Sequence, residues 1–262
     1  MRHDRPIPLD LAKTEYSYVE RPNSVLVELV ERHVLEGKPD ARSLDVGCGA
    51  GANARELRSR HPRVFIAGIE PNAHAAELAR EAADEVYVGL ADAWLKSAPV
   101  RAFDAVVLSD VLEHTPDPVG FLRTLAAAPC LRPARFVVSV PNYAVWYNRL
   151  RTLAGRFEYS WSGLFDRTHL RFFTRRSLGD LLEYCGFQVL ERRATPSLVQ
   201  STAPLLRKIF EEDVARGDHL SLGESSAFRA YRRWVEPAET KLCGVWPELL
   251  GFQIVCVAEL GS

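Results

Sequence analysis

The sequence predicts an α/β protein built on a doubly wound, mostly parallel sheet of seven strands. Three observations carry that expectation. Short apolar runs alternate with amphipathic stretches, as in strands covered by helices on both faces. The first run ends in a glycine-rich turn, Gly47-Cys48-Gly49-Ala50-Gly51, that opens a helix. Glycines there admit positive φ and let a ligand approach the backbone. The second run ends in an acid, Glu70, roughly 20 residues past the glycines, the spacing of a ribose-binding carboxylate in such folds.

The elements follow in order along the 262 residues. Residues 1–21 are polar and punctuated by proline. Val25, Leu26, Leu29, Val30 and Val34 fall on one face of a helix over Asn23 to Glu36, which Gly37 ends. The first strand runs from Ala41 to Val46, and the helix after the glycine turn reaches about Arg60. A second strand, Val64 to Ile69, leads through Glu70 to Pro71-Asn72 and the helix carrying His74 to Glu81. Glu85 to Gly89 is a short third strand. A loop holding Asp92 and Trp94 leads to the fourth strand, Phe103 to Leu108. Ser109 to Pro118 then connects to a helix ending near Ala128, and Arg135 to Val140 is the fifth strand, closed by Pro141-Asn142.

After residue 142 the alternation stops. Residues 143–173 are crowded with aromatics and arginines. Thr174 reads as an N-cap for a helix from Ser177 to Cys185 that ends at Gly186. Phe187 to Arg192 is the sixth strand. An excursion over 195–249 holds two helices, around 205–215 and 226–235, and Phe252 to Ala258 returns as a last strand in the same sheet. The expected organisation is one domain over 1–262: an N-terminal helical segment (1–40), a ligand-binding core (41–142), a lid (143–173), and the rest of the sheet with its insertion (174–262).

Composition narrows the class. The chain is 47% hydrophobic and 26% charged with formal net charge −1, an ordinary globular balance that does not recommend a nucleic-acid track or an anionic membrane surface. No apolar run nears the ~18–20 residues of a membrane span, and the start MRHDRPIPLD lacks a leader's apolar core. Five scattered cysteines, with no CxxC pair and no histidine cluster at ligand spacing, predict neither disulfides nor a metal site. A reducing cytoplasm is the expected home.

The strand tips carry the candidate chemistry. Asp45, just before the glycines, would repel a pyrophosphate but accept a hydrogen bond from an ammonium, favouring an amino-acid-like ligand over a dinucleotide. Glu70 is placed to bind both hydroxyls of a ribose. In Asp166-Arg167-Thr168-His169-Leu170-Arg171, His169 can take a proton from a hydroxyl, with Asp166 orienting it. Arg167 and Arg171 can grip a phosphate or carboxylate; alternatively these residues form ion pairs that hold the lid to the body. Asn142 either bonds a substrate or caps the turn after Pro141. Tyr143 and the other lid aromatics either stack on an acceptor or pack. A later helix with Tyr231 and Trp234 either covers the pocket or forms a homodimer surface.

LDVGCGAG, GIEPN and FDAVVLSDVLEH resemble the motifs of class I S-adenosylmethionine-dependent methyltransferases, over roughly residues 40–195. SVPNYAVWYNRLRTLAGRFEY and SGLFDRTHLRFFTRRSL are similar to a bacterial, ubiquinone-type branch whose members often accompany glycosyltransferases in surface-polysaccharide gene clusters. The resemblance implies a Rossmann-like sheet and S-adenosyl-L-methionine as cofactor. Its donor contacts would come from Asp45, Gly47, Cys48, Gly49, Glu70, Pro71, Asp92, Ala93, Ser109 and Asp110. Asp92 replaces the family's adenine-facing acid, whose usual place after the third strand's glycine is held by Leu90. Ser109 and Asp110 would lie near the sulfonium, with His114 facing the acceptor. The implied reaction is O-methylation of a small-molecule or glycosyl acceptor, with His169 and His114 as catalytic bases. N-methylation, an NAD-dependent oxidoreductase and a non-catalytic donor-binding scaffold are the alternatives.

Overall fold

The computed structural model describes residues 22–97, 101–160, 163–196, 233–234 and 236–261. Its strands are β1 (Arg42–Val46), β2 (Phe65–Glu70), β3 (Glu85–Val88), β4 (Ala105–Ser109), β5 (Arg135–Pro141), β6 (Phe187–Pro196) and β7 (Gly251–Leu260). They form one sheet in the order β3-β2-β1-β4-β5-β7-β6. The first five pair in parallel, and β7 lies antiparallel between β5 and β6. The expected Rossmann-like α/β architecture is therefore present, with the last strand returning to the same sheet and running antiparallel within it.

Alternation along each strand builds two cores. Leu44, Val46, Val106, Leu108, Phe136 and Val138 face one side, while Ala105, Val107, Val137, Val255 and Val257 face the other. A strand buried on both faces must be apolar at every position, which is why these segments read as unbroken runs. The second face is covered by α1 (Ser24–Val30, continued by a π-helical turn, Glu31–Leu35) and α2 (Ala52–Arg60). The first is covered by α4 (Ala91–Lys96), α5 (Pro118–Ala127) and α7 (Arg175–Tyr184); α3 (Ala73–Ala79) packs beside β2 and β3. Local chemistry sets the helix starts. Asn23 caps α1, Asp117 caps α5 ahead of Pro118, and Thr174 closes a capping box with Ser177.

Two expectations need correction. Asp92 and Trp94 lie on α4 rather than in a loop. The segment Ala-Asp-Ala-Trp-Leu-Lys contains no helix breaker, and Trp94 is buried with its ring 6.0 Å from that of Phe103. β6 continues past Arg192 to Pro196, because β7 offers it a partner through two register shifts. The helices expected at 205–215 and 226–235 lie outside the described residues, except for helical positions 233 and 234. Between α5 and α7 the chain forms α6 (Trp146–Leu153); α8 (Glu236–Val245) and α9 (Pro247–Leu250) precede β7.

This topology fixes where a ligand can sit. From β1 the chain winds outward to β2 and β3, then crosses back to β4 on the other side of β1. The helices after β1 and β4 therefore diverge, leaving a crevice at the strands' C-terminal ends. Asp45, Glu70 and Asp110 all stand at those ends.

Leu108, near the C-terminal end of β4, is fully buried. Its replacement by alanine should lower the unfolding free energy by about 2–5 kcal/mol, read as a shifted urea midpoint at unchanged slope.

Candidate active site

The turn after β1 is held from two directions. The amides of Gly47 and Cys48 both donate to the carbonyl of Ile69 (2.7 and 3.1 Å), and the amide of Gly49 donates to Glu70 Oε2 (2.9 Å). The other carboxylate oxygen, Oε1, accepts from the amide of Asn72 (2.9 Å). Glu70 thus ties the glycine turn to the start of α3. A carboxylate offers about four acceptor directions, so this role is compatible with bonds to ligand hydroxyls. Gly47, Gly49 and Gly51 have φ of 75°, 53° and 81°, so all three expected glycines occupy the left-handed region. A Cβ on Gly51 would come 3.0 Å from the backbone of Ala79, which records how closely α3 approaches the turn. Cys48 serves the packing: its Sγ lies where a Cβ on Gly68 of β2 would come, 2.7 Å away. Burial, then Asp45 and Glu70, push its thiol far up, so it stays protonated.

Asp45 is the unusual member. It is buried, and its Oδ1 has no hydrogen-bond partner. Burial first, and the neighbouring Glu70 second, raise its pKa to about 7. Such an acceptor is costly to keep.

At the tip of β4, Ser109 and Asp110 are half-buried. Asp110 has φ of 56°, the one non-glycine residue in the left-handed region among those described. Gln253 of β7 donates to its Oδ2 (2.5 Å) and Ser139 of β5 to its Oδ1 (3.3 Å). Burial still outweighs these bonds, and the pKa rises to about 6.

Residues 163–171 lie against the turn that follows. The amides of Leu170 and Arg171 donate to the carbonyl of Glu113 (2.7 and 3.0 Å). His114 and His169 meet edge to face, ring centroids 4.8 Å apart. Sequence spacing hid this meeting, since 55 residues separate them. Nδ1 of His114 faces the carbonyl of Thr168 (3.2 Å) and Nδ1 of His169 that of Leu164 (3.0 Å). Burial, then the neighbouring His169, lowers the His114 pKa to about 4; burial also lowers that of His169. Both rings are therefore uncharged at neutral pH.

Several expected roles change. Asp166 does not orient His169: its carboxylate accepts from the amide and hydroxyl of Thr168 (2.8 and 2.6 Å). Arg171 donates to the main-chain carbonyls of Leu170 and Pro116 (3.0 and 2.5 Å), which makes it a strut between segments. The half-buried Arg167 donates its amide to the carbonyl of Ser160. Asn142 is fully buried, bonding Glu248 and Gly251 carbonyls through Nδ2 and the Ala144 amide through Oδ1, so it anchors the turn and leaves substrate no access. Tyr143 packs with Phe157, Phe165 and Phe172, with its hydroxyl near Thr152; one edge lines an open groove with Arg149 and Leu153. Pro71 is half-buried beside Glu70, whereas Asp92 and Ala93 lie exposed on α4.

Sequence reasoning passed over Glu113 and Gln253. Glu113 is buried with both carboxylate oxygens unpartnered, and burial followed by Asp110 raises its pKa well above the usual range. Its signal was its place beside His114 in the LEH motif. Gln253 had none, being 143 residues from Asp110.

Comparison with known proteins gives a consistent picture. The sequence profile of the methyltransferase domain matches residues 18–192. The ubiquinone biosynthesis O-methyltransferase of Neisseria meningitidis serogroup C is 31% identical over 119 residues, 43% of this chain and 48% of that protein. The protein of the same name from Idiomarina loihiensis is 27% identical over 164 residues, 60% and 65% of the two chains. The match thus spans less than two thirds of either relative. Among solved structures, a SAM dependent methyltransferase from Archaeoglobus fulgidus superposes with a TM-score of 0.54 at 20% identity, covering 89% of this chain and 92% of that one. The [4+2]-cyclase SpnF does so at 0.52 and 20%, covering 91% and 81%. These likenesses establish the fold; a cyclase in the set shows that the fold does not dictate the reaction.

A Cβ on Gly47 would come 2.8 Å from Cγ2 of Val111, while Gly37, at a similar φ of 77°, has nothing within 4 Å. Gly37→Ala should cost about 1–2 kcal/mol for the backbone alone, and Gly47→Ala measurably more. Equal losses in urea unfolding would mean that Val111 moves aside freely.

Proposed function

The chain belongs to the methyltransferase-domain family, and we propose that it transfers a methyl group from S-adenosyl-L-methionine to a hydroxyl of a small-molecule or glycosyl acceptor. The observation that carries the donor assignment is Asp45 Oδ1, a buried acceptor without a partner. An ammonium group is a fitting counterpart, because it brings both a hydrogen bond and the positive charge that a desolvated carboxylate lacks. Glu70, already tied to Gly49 and Asn72, would accept the ribose hydroxyls. The backbone of the glycine turn would line the rest of the donor. When bound, S-adenosyl-L-methionine supplies a methyl group activated by its sulfonium.

The chain's own residues then have three tasks. Asp45, Glu70 and Asp110 make the crevice electronegative, which favours a cationic ligand and disfavours the pyrophosphate of a dinucleotide. The turn after β4 and residues 163–171 hold the acceptor in line, and alignment alone can provide much of the acceleration. The rings of His114 and His169, uncharged at neutral pH, keep lone pairs available on the acceptor's side of the crevice. The aromatic cluster around Tyr143 and Phe165 backs residues 163–171. The name shared by the relatives supports oxygen as the methylated atom.

Two measurements test the donor assignment. Glu70→Ala should weaken S-adenosylmethionine binding by at least ~10-fold, since it removes charge-assisted bonds worth about 1.5–3 kcal/mol; unchanged affinity in calorimetry removes Glu70 from the site. The pH dependence is set by Asp45, whose ionised form is the one an ammonium stabilises. Donor affinity should therefore fall as pH drops through about 7, and Asp45→Asn should flatten that slope while weakening binding.

A further inference from the structure

We propose that Glu113, His114 and His169 form a site for one divalent transition-metal ion. One ligand atom from each of the three lies within 4.8 Å of the others. Glu113 is 1% exposed and neither carboxylate oxygen has a hydrogen-bond partner, although its main-chain carbonyl accepts two bonds from Leu170 and Arg171. Buried carboxylates are normally paired or bound to a cation. The nearby Arg171 does not serve, because its guanidinium is spent on the carbonyls of Leu170 and Pro116.

The histidines are oriented in the manner of metal ligands. A carbonyl can only accept, so the Nδ1 atoms facing Thr168 and Leu164 carry the hydrogens. The lone pair of each neutral ring is then on Nε2. A ligand histidine held through its other nitrogen by a carbonyl is the usual outer-shell arrangement. Two imidazoles and one carboxylate select Zn(II), Mn(II), Fe(II) or Co(II) over Mg(II) and Ca(II), which prefer oxygen. Ligand atoms about 2.0–2.2 Å from such an ion stand roughly 3–4 Å apart. Binding therefore draws the three groups together by about an ångström, a movement on the scale of side-chain rotation.

The ion would join the turn after β4 to residues 163–171, two segments already stitched by main-chain bonds. Resting on the function proposed above, its open positions would take the acceptor's hydroxyl oxygen and lower that hydroxyl's pKa. The histidines then act on the proton through the ion, not as free bases.

The test is equilibrium dialysis of Co(II) with the full chain after chelator treatment, with visible absorption and thermal unfolding as further readouts. One Co(II) per chain, ligand-field bands, displacement by Zn(II) and a raised melting temperature are expected. Glu113→Gln and His169→Ala should each weaken binding by ~10-fold or more, with donor affinity retained in calorimetry. If His169→Ala does not unfold cooperatively, the nearly isosteric Glu113→Gln decides. Absence of binding by the parent chain, or both variants binding as it does at an adventitious site, overturns the proposal. Metal uptake without any affinity for S-adenosylmethionine upholds the metal site and removes the methyltransferase reading.

Discussion

Desolvation of carboxylates governs the C-terminal edge of this sheet. Asp45, Glu70, Asp110 and Glu113 stand at or just past the ends of three adjacent strands, where parallel packing and covering helices exclude water. Each carries a cost that ordinary surface acids do not. The chain compensates two of them. Glu70 receives the amides of Gly49 and Asn72, and Asp110 receives Gln253 and Ser139. Asp45 Oδ1 and the carboxylate of Glu113 receive nothing. The pattern is not diffuse acidity but two separate deficits, one at the glycine turn and one beneath the histidines. Native chains keep such imbalances where something else supplies the counter-charge.

The second deficit depends on a segment outside the regular alternation of strands and helices. Residues 163–171 have few repeating bonds of their own and are ordered instead by what they touch. Glu113 offers its carbonyl to two successive amides, Thr168 and Leu164 offer theirs to the imidazoles, and Arg171 reaches back to Pro116. Behind them, Tyr143, Phe157, Phe165 and Phe172 form a small aromatic core apart from the two that sandwich the sheet. Arg151 lies over the ring of Phe165, 4.8 Å from its centre. The aromatics here are thus largely packed on one another, while Arg149 and Arg171 bond main-chain carbonyls.

What could be read from the sequence divides along a physical line. Strand positions and the glycine turn were legible because each follows from local rules: period-two burial, positive φ at glycine, caps such as Thr174. Glu70 was legible for the same reason, since its place at the end of β2 follows from the strand it closes. The direction of the last strand was not legible, because it is set by tertiary pairing. The helical state of Ala91–Lys96 was not, because six residues are too short for a periodic pattern. Asn142 shows the opposite failure: a polar residue at a strand tip invites a functional reading, yet its three bonds are internal. The meeting of Glu113 and His114 with His169 was invisible because only tertiary folding closes the loop between them. The same holds for Gln253 and Asp110.

That last pair has a bearing on synthesis. The left-handed backbone at Asp110 is braced by a side chain from β7, 143 positions later, and Gln253 also reaches Asn23 at the start of α1. A nascent chain emerging N-terminus first would assemble β1 to β5 long before Gln253 leaves the ribosome. During that interval the tip of β4 lacks its brace, and its left-handed turn is held by Ser139 of β5 alone. The last strand therefore completes a turn that was laid down 143 positions earlier.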